Sequence, residues 1–275
     1  MTAIAGGPRV DLTIRAKFVR RLQLLCTLEG AKVMKRVGRV GAIAASVIAA
    51  LLATSCSAVV AGQARPVAGI APRPVIGVTI QQALLGKAEL SKLLDQSVST
   101  LQPPRYGGAT KLFRSLVPGA GDCLGVLAEM QSSSYRSADV RDVAWESWLD
   151  ARTAPAAVIA VDEGVVALPT AAEANALFAA FADQWNRCDG KAATYRDQTY
   201  RITDVRVADS VLAATLQTSP TLVARAIGVR VNCLVEVKVP FSADARSAPG
   251  SPASDPETRA IEVARLMMDK ISDLS

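Results

Sequence analysis

The chain has 275 residues, a formal net charge of +6 and no histidine. The charge is local: residues 1–55 hold nine of the 31 Lys/Arg and two of the 25 Asp/Glu, leaving 22 basic against 23 acidic residues in 56–275, so the remainder lacks the electrostatic footprint of a nucleic-acid binder. The missing histidine excludes Ser-His-Asp and Cys-His catalysis, His-containing zinc sites and His-based pH switching, while carboxylate, Lys or Tyr chemistry stays open.

The first element in chain order is the apolar run from Val40 to Ala53, interrupted by Gly41 and Ser46. At about 14 residues it is short of the roughly 20 that a membrane span needs and fits the apolar core of a secretory signal. Lys35, Arg36 and Arg39 supply the basic flank just after Met34. A signal peptide over 34–55 is thus expected, with Met34 as the true start and residues 1–33 as an upstream extension. Ala53-Thr54-Ser55 ahead of Cys56 resembles a bacterial lipobox, which predicts lipidation of Cys56 and a lipid anchor on the extracytoplasmic face of the cell membrane. Two acyl chains would hold stably, at about 0.8 kcal/mol per buried CH₂.

Residues 56–78 read as a tether, with Pro66, Pro72, Pro74 and three glycines. Pro-rich linkers are semi-rigid spacers. The domain is expected over 79–275. Leu85, Leu90, Leu93 and Leu94 have helical spacing, with the main helix after Gly86. PPRYGG (103–108) and LVPGAGDC (116–123) read as a Pro/Gly-rich loop. Residues 140–150 alternate in part, with Val143, Trp145 and Ser147 on one side. Residues 156–168 read as strand, turn, strand, bending at Asp162-Glu163-Gly164. Thr170 and Glu173 form a capping box for a helix whose stripe Ala174, Leu177, Phe178, Phe181 and Trp185 runs to Cys188.

Four strand-like runs follow: Thr199–Val207, Val211–Thr218, Thr221–Val229 and Val231–Val239. In the last, Cys233, Val235, Val237 and Val239 line one face and Asn232, Glu236 and Lys238 the other, a half-buried antiparallel pattern. Asp255-Pro256 reads as cap and first residue of a final helix, with Ile261, Ala264, Met268 and Ile271 facing one way. Strand runs joined by short turns favour an α+β fold with an antiparallel sheet and helices packed on it.

Three cysteines remain in the domain, and outside the cytoplasm a disulfide is expected. Cys123 follows a loop and Cys188 ends a helix, which makes them the expected pair. Cys233 sits on an apolar strand face, where a buried free thiol is common.

The stretches ALLGKAELSKLL (83–94), GDCLGVL (121–127), EGVVALPTAAEANALFAAFADQWNRC (163–188) and ARAIGVRVNCLVEV (224–237) resemble the PknH-like extracellular sensor domain. This family occurs as the outer domain of mycobacterial receptor kinases and in free-standing mycobacterial lipoproteins. The resemblance implies an α+β domain with a twisted antiparallel sheet, flanking helices, a sizeable cleft and a role in sensing a ligand outside the membrane. Family members usually carry a second disulfide near the last strands. The matching LVARAI (222–227) and EVKVPF (236–241) have no cysteine, so a looser sheet end is expected there.

GDCLG is neither a nucleophile elbow nor a phosphate loop and reads as a turn held by a disulfide. Asp162 and Glu163 could serve glycosidase chemistry but read as a solvated turn. Trp145, Trp148, Tyr135 and Arg136 could line a cleft mouth but read as packing. The expected function is a cell-envelope lipoprotein displaying a non-catalytic sensor-like domain, without cofactor or metal. Its ligand would be an extracytoplasmic small molecule, peptide or glycan. No kinase domain follows in the sequence, so occupancy would pass through an envelope protein partner. Two rivals make different demands. A lipid carrier needs a large apolar cavity, and a carboxylate-based glycan hydrolase needs two acids facing across a cleft.

Overall fold

The computed structural model describes residues 72–114, 121–151, 157–219, 221–242 and 256–275, all within the compact unit Gly69–Ser275. Met34, the expected signal peptide and Cys56 lie outside the described residues. Eight strands form one sheet: β1 (Val98–Gly107), β2 (Asp142–Asp150), β3 (Ala160–Ala167), β4 (Ala192–Tyr195), β5 (Gln198–Ala208), β6 (Val211–Gln217), β7 (Leu222–Arg230) and β8 (Cys233–Phe241). Their order is β1-β2-β3-β8-β7-β6-β5-β4, and every neighbouring pair is antiparallel. The fold is α+β, with helices on both faces.

On the first face, Cys233, Val235, Val237 and Val239 join Ala224 and Ala226 of β7 and Val161 and Val165 of β3. They are covered by a 3-10 turn (Gly77–Ala83), α1 (Lys87–Leu94) and α4 (Pro256–Leu274), which contribute Ile80, Leu90, Val263, Met267 and Ile271, with Leu85 from the link between the turn and α1. On the second face, Leu212, Ala214, Leu216, Val223, Ile227 and Leu234 meet α2 (Leu124–Leu127) and α3 (Ala171–Cys188). The N-terminus of α3 is fixed by the expected box: Glu173 N–H donates to Thr170 Oγ1 at 3.2 Å, and Thr170 N–H donates to Glu173 Oε2 at 3.0 Å.

Several expectations need correction. PPRYGG is not a loop: Pro103 and Pro104 lie within edge strand β1. Its pairing with β2 shifts register between Thr100 and Gln102 and again before Arg105. An edge strand with bulges tolerates residues that cannot donate to the ladder. Asp162-Glu163-Gly164 is not a turn either. All three sit inside β3, in register with Ser147, Glu146 and Trp145 of β2. Gly164 is there because the Met130 side chain occupies the space a Cβ would take, a close approach rather than a bend.

The tether ends earlier than Val78. Val75 is buried; its N–H donates to Asn232 Oδ1 at 2.7 Å and its carbonyl accepts from Asn232 Nδ2 at 3.0 Å. The polar face of β8 is not solvated: Asn232 and Glu236 are buried. The β7–β8 ladder runs without a shift from Leu222–Phe241 to Arg230–Cys233, so the sheet end lacking the second disulfide is regularly paired.

Candidate functional site

The second face of the sheet carries a polar row in the middle of its apolar surface. Ser147, Asp162, Lys238 and Arg225 stand side by side across β2, β3, β8 and β7. One row along, Glu236 lies opposite Gly164 and Ile227. Alternation places all of these side chains on one face.

Arg225 is the anchor. It is fully buried, and its Nε and Nη2 donate to the carbonyls of Val126 (3.1 Å) and Gly125 (3.3 Å) in α2. Nη2 also donates to Glu236 Oε2 at 3.0 Å, and the guanidinium lies 5.8 Å from the Trp185 ring centroid. Its charge thus satisfies carbonyls that a four-residue helix leaves open. Tyr135 Oη donates to the other Glu236 oxygen at 2.6 Å. Burial pushes the Glu236 carboxyl up, against the opposing pull of Arg225 and Tyr135. The disulfide between Cys123 and Cys188, with Cα atoms 5.8 Å apart, ties the entry of α2 to the end of α3. Together these contacts hold a strap, residues 121–135, over the sheet.

Between strap and sheet lies a groove. Two adjoining cavities, about 200 and 160 Å³, share Tyr195, Arg196 and Lys238 as walls. The smaller one is completed by Phe113, Glu129 and Gln131, the larger one by Leu127, Tyr200 and Leu216 among others. Phe113 is pinned to the strap: its N–H donates to the Met130 carbonyl (2.9 Å) and its carbonyl accepts from Ser132 N–H (2.8 Å). Its ring meets Trp145 edge-on at 4.8 Å. The opposite rim is the β4–β5 hairpin. Its two central residues, Arg196 and Asp197, have φ of 50° and 63°, as a two-residue primed turn requires. Arg196 lies over the Tyr195 ring at 5.2 Å.

The groove's electrostatics are balanced. Lys238 Nζ sits 3.5 Å from both Glu129 and Asp162. Burial works to lower its pKa, but the two carboxylates raise it more, so it stays an ammonium. Burial likewise works to raise Glu129, yet Lys238 and Arg225 hold it below its ordinary value. Burial and the neighbouring Glu129 push Asp162 up, while Ser147 Oγ donates to it at 2.6 Å. Among the described residues, three polar atoms at or beside the groove have no hydrogen-bond partner: Glu129 Oε2, Gln131 Oε1 and Trp145 Nε1. Glu129 Oε2 has only its ion pairs with Lys238 and Arg225, each at 3.5 Å.

Of the residues singled out from sequence, Cys123 and Cys188 are joined, and Cys233 is a buried free thiol. Trp145 borders the groove. Trp148 points to the other face, where its Nε1 donates to Glu163 at 3.2 Å. Tyr135 is core, not a cleft mouth, and Arg136 is exposed. Glu129, Gln131, Tyr195, Arg196, Arg225 and Lys238 were missed. Arg225 and Lys238 did leave a trace, as charges inside largely apolar strands. Among the described residues no group of His, Cys, Asp and Glu is arranged to hold a metal ion, and no helix is long and apolar enough to cross a membrane.

Comparison with known proteins agrees with this architecture. The crystal structure of the extracellular domain of PknH from Mycobacterium tuberculosis superposes with a TM-score of 0.61 at 21% sequence identity, covering 73% of this chain and 98% of that one. At that identity the likeness speaks for the fold. No curated protein matches the chain. The family model described as the PknH-like extracellular domain matches residues 75–270, and the chain therefore belongs to the PknH-like extracellular domain family.

Proposed function

We propose that this protein is a cell-envelope lipoprotein that displays a non-catalytic, sensor-like ligand-binding domain on the extracytoplasmic side, anchored through a diacylated Cys56. The observation that carries the reading is the groove under the strap, where unpartnered polar atoms, a lysine and aromatic rings converge. Ligand sites combine a few placed polar groups with apolar walls in this way. Occupancy would brace the strap against the β4–β5 hairpin, and a partner in the envelope would read that change.

The rival readings find less support. The described cavities are each smaller than the roughly 300 Å³ at which small-molecule sites begin, which suits a polar headgroup or ring better than an acyl chain. The hydrolase reading has one point in favour: Asp162 and Glu129 are pushed in opposite directions, as acid and base partners often are. Both, however, are ion-paired to Lys238 at 3.5 Å, which holds them as a charge cluster rather than as a facing acid and base.

The test is native mass spectrometry of the full chain after exposure to an envelope extract. A polar adduct is expected on the wild type and is expected to be lost in Lys238→Met. An apolar adduct would favour the carrier. An adduct retained in K238M would remove the groove as the site. Metabolic labelling with palmitate addresses the anchor: label on the wild type and none on Cys56→Ala is expected.

A further inference from the structure

We propose that the smaller cavity, beside Phe113, takes a neutral, hydroxyl-rich ring, a single sugar unit of a glycan or a free saccharide, held by Gln131 Oε1 and the Glu129–Lys238 pair. The inference rests on the ligand-binding reading above and specifies its chemistry.

Gln131 is the key. The residue is 3% exposed, and its Nε2 donates to the Glu129 carbonyl at 3.0 Å. That bond fixes the amide with its oxygen directed away, and among the described residues the oxygen has no partner although the side chain lines the cavity. A buried polar atom left unpaired costs about 1–3 kcal/mol, so the site gains when a donor enters. Beside it, Glu129 Oε2 is a second acceptor without a hydrogen bond, and Lys238 Nζ is a donor whose nearest carboxylate oxygens are 3.5 Å away. An acceptor, a second acceptor and a donor therefore line one small space.

Charge narrows the ligand class. Lys238, Arg225 and the rim residue Arg196 are matched in number by Glu129, Glu236 and Asp162. No net charge is left inside to recruit a phosphate or an ammonium. A hydroxyl suits the arrangement because it accepts and donates at once, so one group can accept from Lys238 and donate to Gln131 or Glu129. The walls add the aromatic side chains of Phe113 and Tyr195, whose apolar surface suits the C–H groups of a sugar ring. A volume of about 160 Å³ limits the occupant to one ring, with the adjoining 200 Å³ available to a second.

The experiment is saturation-transfer NMR on the full chain, held in a detergent without a sugar headgroup. The probes are glucose, galactose, arabinose and N-acetylglucosamine with their disaccharides. Triglycine and inorganic phosphate are the non-saccharide controls. Transfer to at least one saccharide is expected, and Gln131→Met, similar in shape but lacking the acceptor, should weaken it about tenfold or more. Q131M is expected to keep the wild-type near-UV circular dichroism, and this separates a lost contact from a misfolded strap. Saccharide binding that Q131M leaves unchanged would overturn the proposal. So would the absence of binding by every saccharide at 10 mM, or binding of triglycine or phosphate in their place. If an envelope-extract adduct is still lost in K238M, such a failure rejects the sugar and leaves the ligand groove standing; if no adduct forms, both fall.

Discussion

Glu146 and Glu163 face each other in the β2–β3 register on the first face of the sheet, both buried beneath the N-terminal turn. Glu163 accepts the Leu85 N–H with both oxygens, at 3.1 and 3.2 Å, and accepts from Trp148 Nε1. Burial, then the hydrogen bond and charge of Glu146, push the Glu163 carboxyl well above its ordinary value. Burial also raises Glu146, with Lys270 on α4 pulling the other way. Both shifts favour a proton held between the two carboxyls, and Glu163 pins, through the Leu85 N–H, the segment that leads in from the proposed anchor.

A pH dependence follows. A folded-state pKa above the unfolded value means the folded protein binds the extra proton. The contribution is complete below the ordinary glutamate value and is lost as pH rises through the raised folded-state value. Asp162 and Glu236, also raised, act in the same direction; Glu89 and Glu129, lowered, oppose it. The melting temperature of the wild type is expected to fall between pH 5 and 8. In Glu163→Gln, where the amide supplies the proton permanently, the fall should be shallower, with stability at pH 8 equal to or above wild type. A wild-type melting temperature rising over that range would refute the shared proton.

Arg225 gives the second prediction. Removing one member of a buried ion pair strands the other, at a cost of about 3–5 kcal/mol. Arg225→Met strands Glu236 and opens two α2 carbonyls, so urea denaturation should show a loss of that size. The double variant R225M/E236L should lose clearly less than the sum of the single losses, because the residues share one network. Additive losses would mean that Arg225 acts through packing alone.

How far the sequence disclosed this domain depends on how local each signal was. The α3 cap, the stripe to Trp185 and the four long strand runs are set by neighbours in the chain, and they were legible. So was the 123–188 pairing, because only one cysteine sat on an apolar strand face. β1 was hidden by Pro103-Pro104, whose tolerance depends on an edge position that local sequence does not reveal. β4 is four residues long, and its turn has Arg196 and Asp197 where Gly or Asn would announce a hairpin. Asp162-Glu163-Gly164 has turn composition, and only the Met130 contact explains its glycine within a strand. The groove is less legible still. Glu129 and Gln131 reach Lys238 across about a hundred residues of chain, and no spacing rule connects them.

The disulfide gives a third prediction. Closing a loop whose ends are separated by 65 positions in sequence contributes about 2–4 kcal/mol. Cys123→Ser with Cys188→Ser should lower stability by that amount in urea. Cys233 is not expected to substitute for either partner. Burial pushes its thiol up to about 12, which keeps it from the thiolate that exchange requires. Native alkylation with iodoacetamide should leave Cys233 unmodified in the wild type and in the double variant. Labelling of Cys233 in the folded wild type would show that the Val75 segment opens.

Gly164 and Met130 supply the last prediction. A Cβ on Gly164 would run into the Met130 side chain, which is 1% exposed. Met130 also holds a left-handed backbone, φ 50°, and its carbonyl secures Phe113. The methionine therefore cannot retreat without moving the strap. Gly164→Ala should destabilise by about 1–3 kcal/mol, the range for an overfilled core. Met130→Ala alone empties the same space and should cost about 2–5 kcal/mol. Combined, the added methyl enters the vacated volume, so the double variant should be more stable than the sum of the two losses allows. If the groove is the ligand site, G164A should also weaken saccharide binding while the double variant recovers part of it. Strict additivity in urea would show that the strap moves aside freely, and Met130 would then not be what fixes the groove's height above the sheet.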